Sequence, residues 1–199
     1  MSATAEIRSV KRRAFVEDDS GVALVEMALI MPVALLMLSL AMMGGQAFTA
    51  QTKVVLAAHT VTDLVSQTPY LKSPTVSGAT QLNQSDLDTD LALASEVMYP
   101  FGSANMQVVV TELSVNATNQ IGTVVWSEGY NGGTPATVGA QVTLSPAVTA
   151  AGASYLIYGQ VTYSFQPFGV YLRAATLNLT ASEMLTPRNA GQIAINWGS

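Results

Sequence analysis

The chain has 199 residues, a formal net charge of -5 and no cysteine. That length holds one domain of ordinary size plus an appendage. The missing cysteine excludes a disulfide scaffold, thiol catalysis and cysteine-ligated metal sites, and the acidic balance argues against nucleic acid, which needs a basic patch. Charged residues make up 11% and apolar residues 49%, against roughly 25% charged in an average soluble domain. From Val54 to Ser199 the chain still has only 3 Lys+Arg and 8 Asp+Glu in 146 residues. The charge poverty is therefore not the work of one membrane segment, and with this apolar content it argues against disorder.

Four of the eight basic residues, Arg8, Lys11, Arg12 and Arg13, lie in a short leader that ends with Glu17, Asp18, Asp19, Ser20 and Gly21. The chain then turns apolar. Glu26 is the only charge between Val22 and Thr52. A helix of about 20 apolar residues crosses a bilayer core, so one transmembrane helix is predicted over about 27–50. The basic cluster before it places the N-terminus in the cytoplasm and the bulk of the chain outside. A cleaved secretory signal is the competing reading, with small residues at Gly45-Gln46-Ala47 and a mature start at Phe48. The apolar run is longer than the roughly 7–15 residues of a signal peptide's core, and the leader carries acids.

The helix is expected to continue past the membrane. Val54, Ala57, Ala58, Val61, Leu64 and Val65 fall on one helical face. Pro69 ends the pattern. A helix from Val22 to about Gln67 is roughly 70 Å long; Pro32 should kink it or loosen one backbone bond. Residues 70–84 read as loop. Ser85–Tyr99 reads as a short helix, capped by Ser85 with Asp88 and lined by Leu87, Leu91, Ala94 and Met98.

Strand signals follow at Met106–Val115, Ile121–Glu128, Tyr155–Phe165 and Leu177–Thr180. In the third, Tyr155, Ile157, Val161, Tyr163 and Phe165 alternate with polar residues. Such strands, each with one apolar face, imply a four-stranded antiparallel sheet. The amphipathic half of the long helix is its natural cover. Residues 129–153 are rich in Gly, Ala and Thr and read as a surface excursion. The expected fold class is α+β: a leader at 1–21, a long helix at 22–68 and an envelope-facing head at 69–199.

The informative stretch is Gly21-Val22-Ala23-Leu24-Val25-Glu26. A carboxylate in a membrane helix costs about 2.5–3.5 kcal/mol. Cleavage after Gly21 would create an ammonium on Val22, and residues four apart share one face of a helix. That pair can offset its own burial or bridge to a neighbouring helix.

This arrangement resembles the class III prepilin signal of type IV filament proteins. The span from Arg13 to Asp63 resembles, more closely, the TadE-like family, the minor pseudopilins of tight-adherence (Flp-type) pili. Gly21, Val25-Glu26-Met27-Ala28-Leu29, Pro32 and the Leu-rich run to Leu40 carry the likeness, joined by Ser182-Glu183-Met184 and Pro187-Arg188-Asn189 near the end. The resemblance implies a prepilin peptidase cut between Gly21 and Val22, an assembly role for Glu26 and a pilin-like fold. It also implies an inner-membrane protein whose partners are prepilin peptidase, other pilins and the assembly platform, with incorporation into a pilus. Met27 departs from the aromatic residue usual in major Flp pilins, and the chain is much longer than those subunits, which favours a minor pseudopilin.

Other chemistry has little support. His59 is the only histidine, so no multi-histidine metal site is available, and no nucleophile-elbow motif is present. Asp86-Leu87-Asp88-Thr89-Asp90 begins like a calcium loop, but Leu91 and Val97 stand where an EF-hand needs Gly and Glu. Helix capping accounts for these acids better. No cofactor and no enzymatic activity are expected. Phe165-Gln166-Pro167-Phe168-Gly169-Val170-Tyr171-Leu172 is a strongly apolar turn; Phe168 and Tyr171 either meet a partner subunit or fold onto the head's own core. Two further readings stay open: a pseudopilin of a type II secretion-like machine, and a signal-anchored β-rich binding domain.

Overall fold

The computed structural model describes residues 20–67, 80–116, 118–150, 152–167, 176–188 and 191–196. Helix α1 (Ser20–Ser66) runs unbroken for 47 residues, through Pro32. The chain divides into two compact units, Met1–Gly45 and Gln46–Ser199, and α1 contributes to both. The division therefore falls inside the helix, not after it.

The second unit is α+β. After α1 come β1 (Thr80–Asn83), α2 (Gln84–Glu96), a short 3-10 turn (Ser103–Asn105), β2 (Met106–Asn116) and β3 (Ile121–Tyr130). They are followed by β4 (Gln141–Thr143), α3 (Pro146–Ala150), β5 (Tyr155–Phe165), β6 (Leu177–Leu185) and β7 (Ile193–Asn196). The main sheet is antiparallel and curled, with order β4-β3-β2-β5-β6. It has five strands where four were expected. The extra strand, β4, has three residues, too few to show a period of two. β1 and β7 form a separate parallel pair, from Thr80 opposite Ile193 to Asn83 opposite Asn196. The loop expected over 70–84 thus ends in a strand whose partner lies far along the chain, which local patterning does not reveal.

The main core lies between α1, α2 and one face of the sheet. On α1 the residues Ala50, Val54, Ala57, Ala58, Val61 and Val65 are buried. Thr62 and Ser66 join them, while Leu64 is only half-buried. The buried face is thus turned toward Thr62, away from the stripe predicted through Leu64. Thr62 tolerates burial because its hydroxyl donates to Ala58 O at 2.7 Å. The same hydroxyl explains the turn: a Cβ built on Gly159 of β5 would lie 2.1 Å from Thr62 Oγ1. The helix backbone approaches the sheet where the strand has no side chain. Leu87, Leu91 and Met98 close this core from the α2 side.

At the N-terminus of α2, Asn83 Nδ2 donates to Asp86 Oδ2 at 3.1 Å. The helix begins at Gln84, so this contact lies at the terminus, two residues ahead of the predicted Ser85–Asp88 pair. The end of α1 is held by the β6–β7 connection. Arg188 N donates to Ser66 O at 2.9 Å, and Arg188 Nη2 meets Asp63 Oδ1 at 2.5 Å. A cation at a helix C-terminus is favourable, because the last carbonyls carry partial negative charge.

Residues 129–153, expected as a surface excursion, cover the second face of the sheet. Leu113, Val124, Leu144 and Leu156 form a smaller core there, with Val142 and Val148 against it. Gly133 makes the fold-back fit, since a Cβ on it would lie 2.3 Å from Val108 O. Ser127 Oγ accepts from Ala136 N at 2.9 Å and sits 2.8 Å from Thr111 Oγ1. A bulge in β3 serves both cores. Glu112 pairs with Trp126 but Leu113 pairs with Val124, leaving Val125 extra. Trp126 then joins the main core while Val124 joins the smaller one.

The Gly159 contact gives a direct test. Gly159→Ala should destabilise the head by about 1–3 kcal/mol through overpacking against Thr62. Thr62→Ala combined with Gly159→Ala should recover much of that loss, because the hydroxyl is the first obstacle and the next atom, Thr62 Cβ, lies at 3.3 Å. Thermal unfolding of the four chains of the double-mutant cycle measures the coupling; additive effects would contradict the contact.

Candidate functional site: an exposed apolar helix with one carboxylate

The first half of α1 carries the residues singled out by sequence. Gly21, Val22 and Glu26 lie in its first two turns. The Gly21–Val22 bond lies at the N-terminal end of the described helix. A Cβ on Gly21 would meet nothing within 4 Å. Among the described residues, nothing packs where a side chain at this position would stand.

From Gly21 to Leu38 every residue is exposed. Leu24 is 72%, Val25 71% and Leu29 78% accessible. In water this surface would be costly, at about 25 cal/mol per Å² of apolar area. An apolar environment removes the cost. Among the described residues, α1 is the one helix long and apolar enough to cross a membrane. Its polar groups suit such an environment: Ser39 Oγ returns a hydrogen bond to Leu35 O at 2.8 Å. Glu26 is exposed and has no ion-pair partner among the described residues. Val22 lies one turn before it, on the same face.

Phe168 and Tyr171 lie outside the described residues. His59 is exposed, with Nδ1 3.9 Å from Glu183 Oε1. With Asp63 and Arg188 it forms a charged seam along the edge of α1. The acids of α2 are distributed: Asp86 accepts from Asn83, burial and then Asp86 raise the carboxyl pKa of Asp90, and burial and then Asp88 raise that of Glu128 on β3. Among the described residues, no group of three or more metal-ligating side chains could hold an ion.

One cluster escaped the sequence reading. Glu112 is wholly buried on the main-core face of β2. Its Oε1 accepts from Ile193 N at 2.7 Å, while Trp126 Nε1 donates to Ile193 O at 2.7 Å. Two side chains thus hold both backbone polar atoms of one β7 residue. Among the described residues, Glu112 Oε2 is buried without a hydrogen-bond partner. Burial pushes the Glu112 carboxyl up to about 7, against the opposing influence of the Ile193 and Trp126 N–H groups. The signal was present in the sequence: Met106, Val108, Val110 and Glu112 share one face of a strand by alternation.

Comparisons with protein-family models, curated proteins and solved structures give no match.

Proposed function

We propose that this chain is a minor pseudopilin, a structural and assembly subunit of a Tad (Flp-type) pilus or a related secretion apparatus. One observation carries the reading: an apolar helix exposed on all sides from Gly21 to Leu38 has near its described start a glycine with open space around it and a lone carboxylate five residues later. The α+β head packed against the helix's second half supports a pilin-like arrangement. The chain would insert in the inner membrane with its leader in the cytoplasm and its head outside. Prepilin peptidase would cut after Gly21. The bare helix would then leave lipid for a bundle of other pilin helices, where its apolar surface stays covered. A minor subunit of this type primes or caps a filament and does not form its bulk.

Glu26 has a defined part in this scheme. The cut exposes an ammonium on Val22, and a carboxylate one turn away can neutralise it or the same group on a neighbouring helix. A buried pair of this kind adds little net stability, but removing one partner costs about 3–5 kcal/mol. The pair therefore acts as a registry device: a helix seated out of register leaves two uncompensated charges.

Intact-mass or N-terminal analysis of the membrane-extracted protein should show a chain beginning at Val22. Gly21→Arg should leave the full-length precursor in the membrane. A mature start at Phe48 would instead establish a secreted, signal-peptide-processed domain. Glu26→Leu should still insert and be cleaved, yet surface pili and crosslinks to other pilins should be largely lost. Glu26→Gln should fall between, because its amide accepts a hydrogen bond without bearing charge. Assembly of Glu26→Leu at the wild-type level would contradict the pairing.

A further inference from the structure

The hold on β7 is unusual in its chemistry. β7 is four residues long and pairs only with β1, a strand of equal length. A two-stranded pair this short is marginal without further support. The support comes from Ile193, whose side chain is buried in the main core and whose N–H and C=O are taken by Glu112 and Trp126. The carboxylate that holds the N–H also leaves one oxygen buried and unpaired. A neutral carboxylic acid bears that burial more cheaply than an anion.

We propose that Glu112 and Trp126 form a proton-operated latch on β7. With Glu112 neutral the strand stays docked. With Glu112 ionised the strand lifts at Ile193, and water reaches Oε2. The latch is a property of the head alone and does not rest on the filament reading.

The surroundings leave Glu112 as the group that titrates there. Its neighbours across the sheet are Trp126 on β3 and Ile157 on β5. The charged groups of the elements bordering the core are engaged at its margins. On α1, Lys53 is half-buried near the first turns of the head, and His59 and Asp63 pair with Glu183 and Arg188. On α2, Asp86 bonds Asn83, Asp88 acts on Glu128 of β3, Asp90 feels Asp86, and Glu96 is exposed. On β5, Tyr163 pairs with Met106, six residues from the register of Glu112. Burial, the Ile193 N–H and the Trp126 N–H are the influences acting on Glu112 itself.

The sign follows from linkage. The carboxyl binds its proton more tightly when docked, near 7, than when solvated, near 4.5. Docking is therefore fully favoured below about pH 4.5 and is lost as pH rises toward 7 and above. Between pH 5 and pH 8 the ratio of lifted to docked strand should rise roughly 50- to 100-fold.

Hydrogen exchange of the full-length chain in detergent micelles tests this, with rates corrected for the intrinsic pH dependence of exchange. Protection of the Ile193–Asn196 amides should fall by that factor from pH 5 to pH 8, while amides of β2 and β5 keep theirs. Glu112→Gln, neutral at both values, should show no such fall. Equal wild-type protection at the two pH values, or the same fall in Glu112→Gln, overturns the latch. If Glu112→Gln loses protection throughout the sheet, Trp126→Phe decides. It removes the Ile193 O donor and keeps the carboxyl, so protection should be lower at both pH values with the fall retained. Wild-type protection in Trp126→Phe, or a flat profile, overturns the proposal.

Discussion

The head depends on how closely one helix approaches one strand. Helices usually stand off a sheet by the thickness of two side-chain layers. Here Ala58 and Thr62 meet β5 at the point where Gly159 offers no side chain. Several features follow from that approach. The helix turns its Thr62 edge inward, Leu64 is left half-buried, and Thr62 spends its hydroxyl on its own helix. At the end of the same helix, Asp63 and Ser66 meet Arg188. Small residues set the distance, and the larger side chains of α2 and the sheet fill what remains.

Charge is distributed on the same plan. The pairs His59–Glu183 and Asp63–Arg188 lie at the edge of α1, at least partly exposed, where each adds at most about 1 kcal/mol. They orient the helix edge without anchoring it. Glu112 is the exception, the one wholly buried acid among the described residues. Replacing it by an apolar residue of similar volume could raise stability, as buried polar groups often allow. What would be lost is the hold on the Ile193 N–H.

Sequence patterning revealed the parts governed by local periodicity. The long helix, α2 and strands β2, β3, β5 and β6 each extend far enough to show a period of 3.6 or 2. β6 continues to Leu185, five residues beyond the predicted Thr180, because Ala181–Leu185 lack a strong apolar alternation and are held as strand by pairing with β5. β1, β4 and β7 are too short to announce themselves. The function of residues 129–153 as a cover was hidden by composition: Val142, Leu144 and Val148 are scattered among small residues, and only folding gathers them against Leu113 and Leu156. That Gly21, Val22 and Glu26 share one helix was legible because their spacing is local, within two turns. The Glu112–Ile193 contact joins residues 81 apart, a relation no short window contains.

The bulge in β3 constrains how this sequence can change. A regular strand tolerates the loss of one residue only by exchanging its faces. In β3 the exchange has already been made at Val125, so that Trp126 and Val124 answer to opposite layers. Loss of Val125 would restore a regular ladder and make Val124 and Trp126 chain neighbours, which still face opposite layers. Both layers would then keep their β3 side chain, and only the packing of Val125 itself against the main core would go. Shortening β3 by one residue at its bulge is therefore compatible with both layers, whereas a change elsewhere in the strand is not, a rule of length written into the parity of the strand and independent of which amino acids fill it.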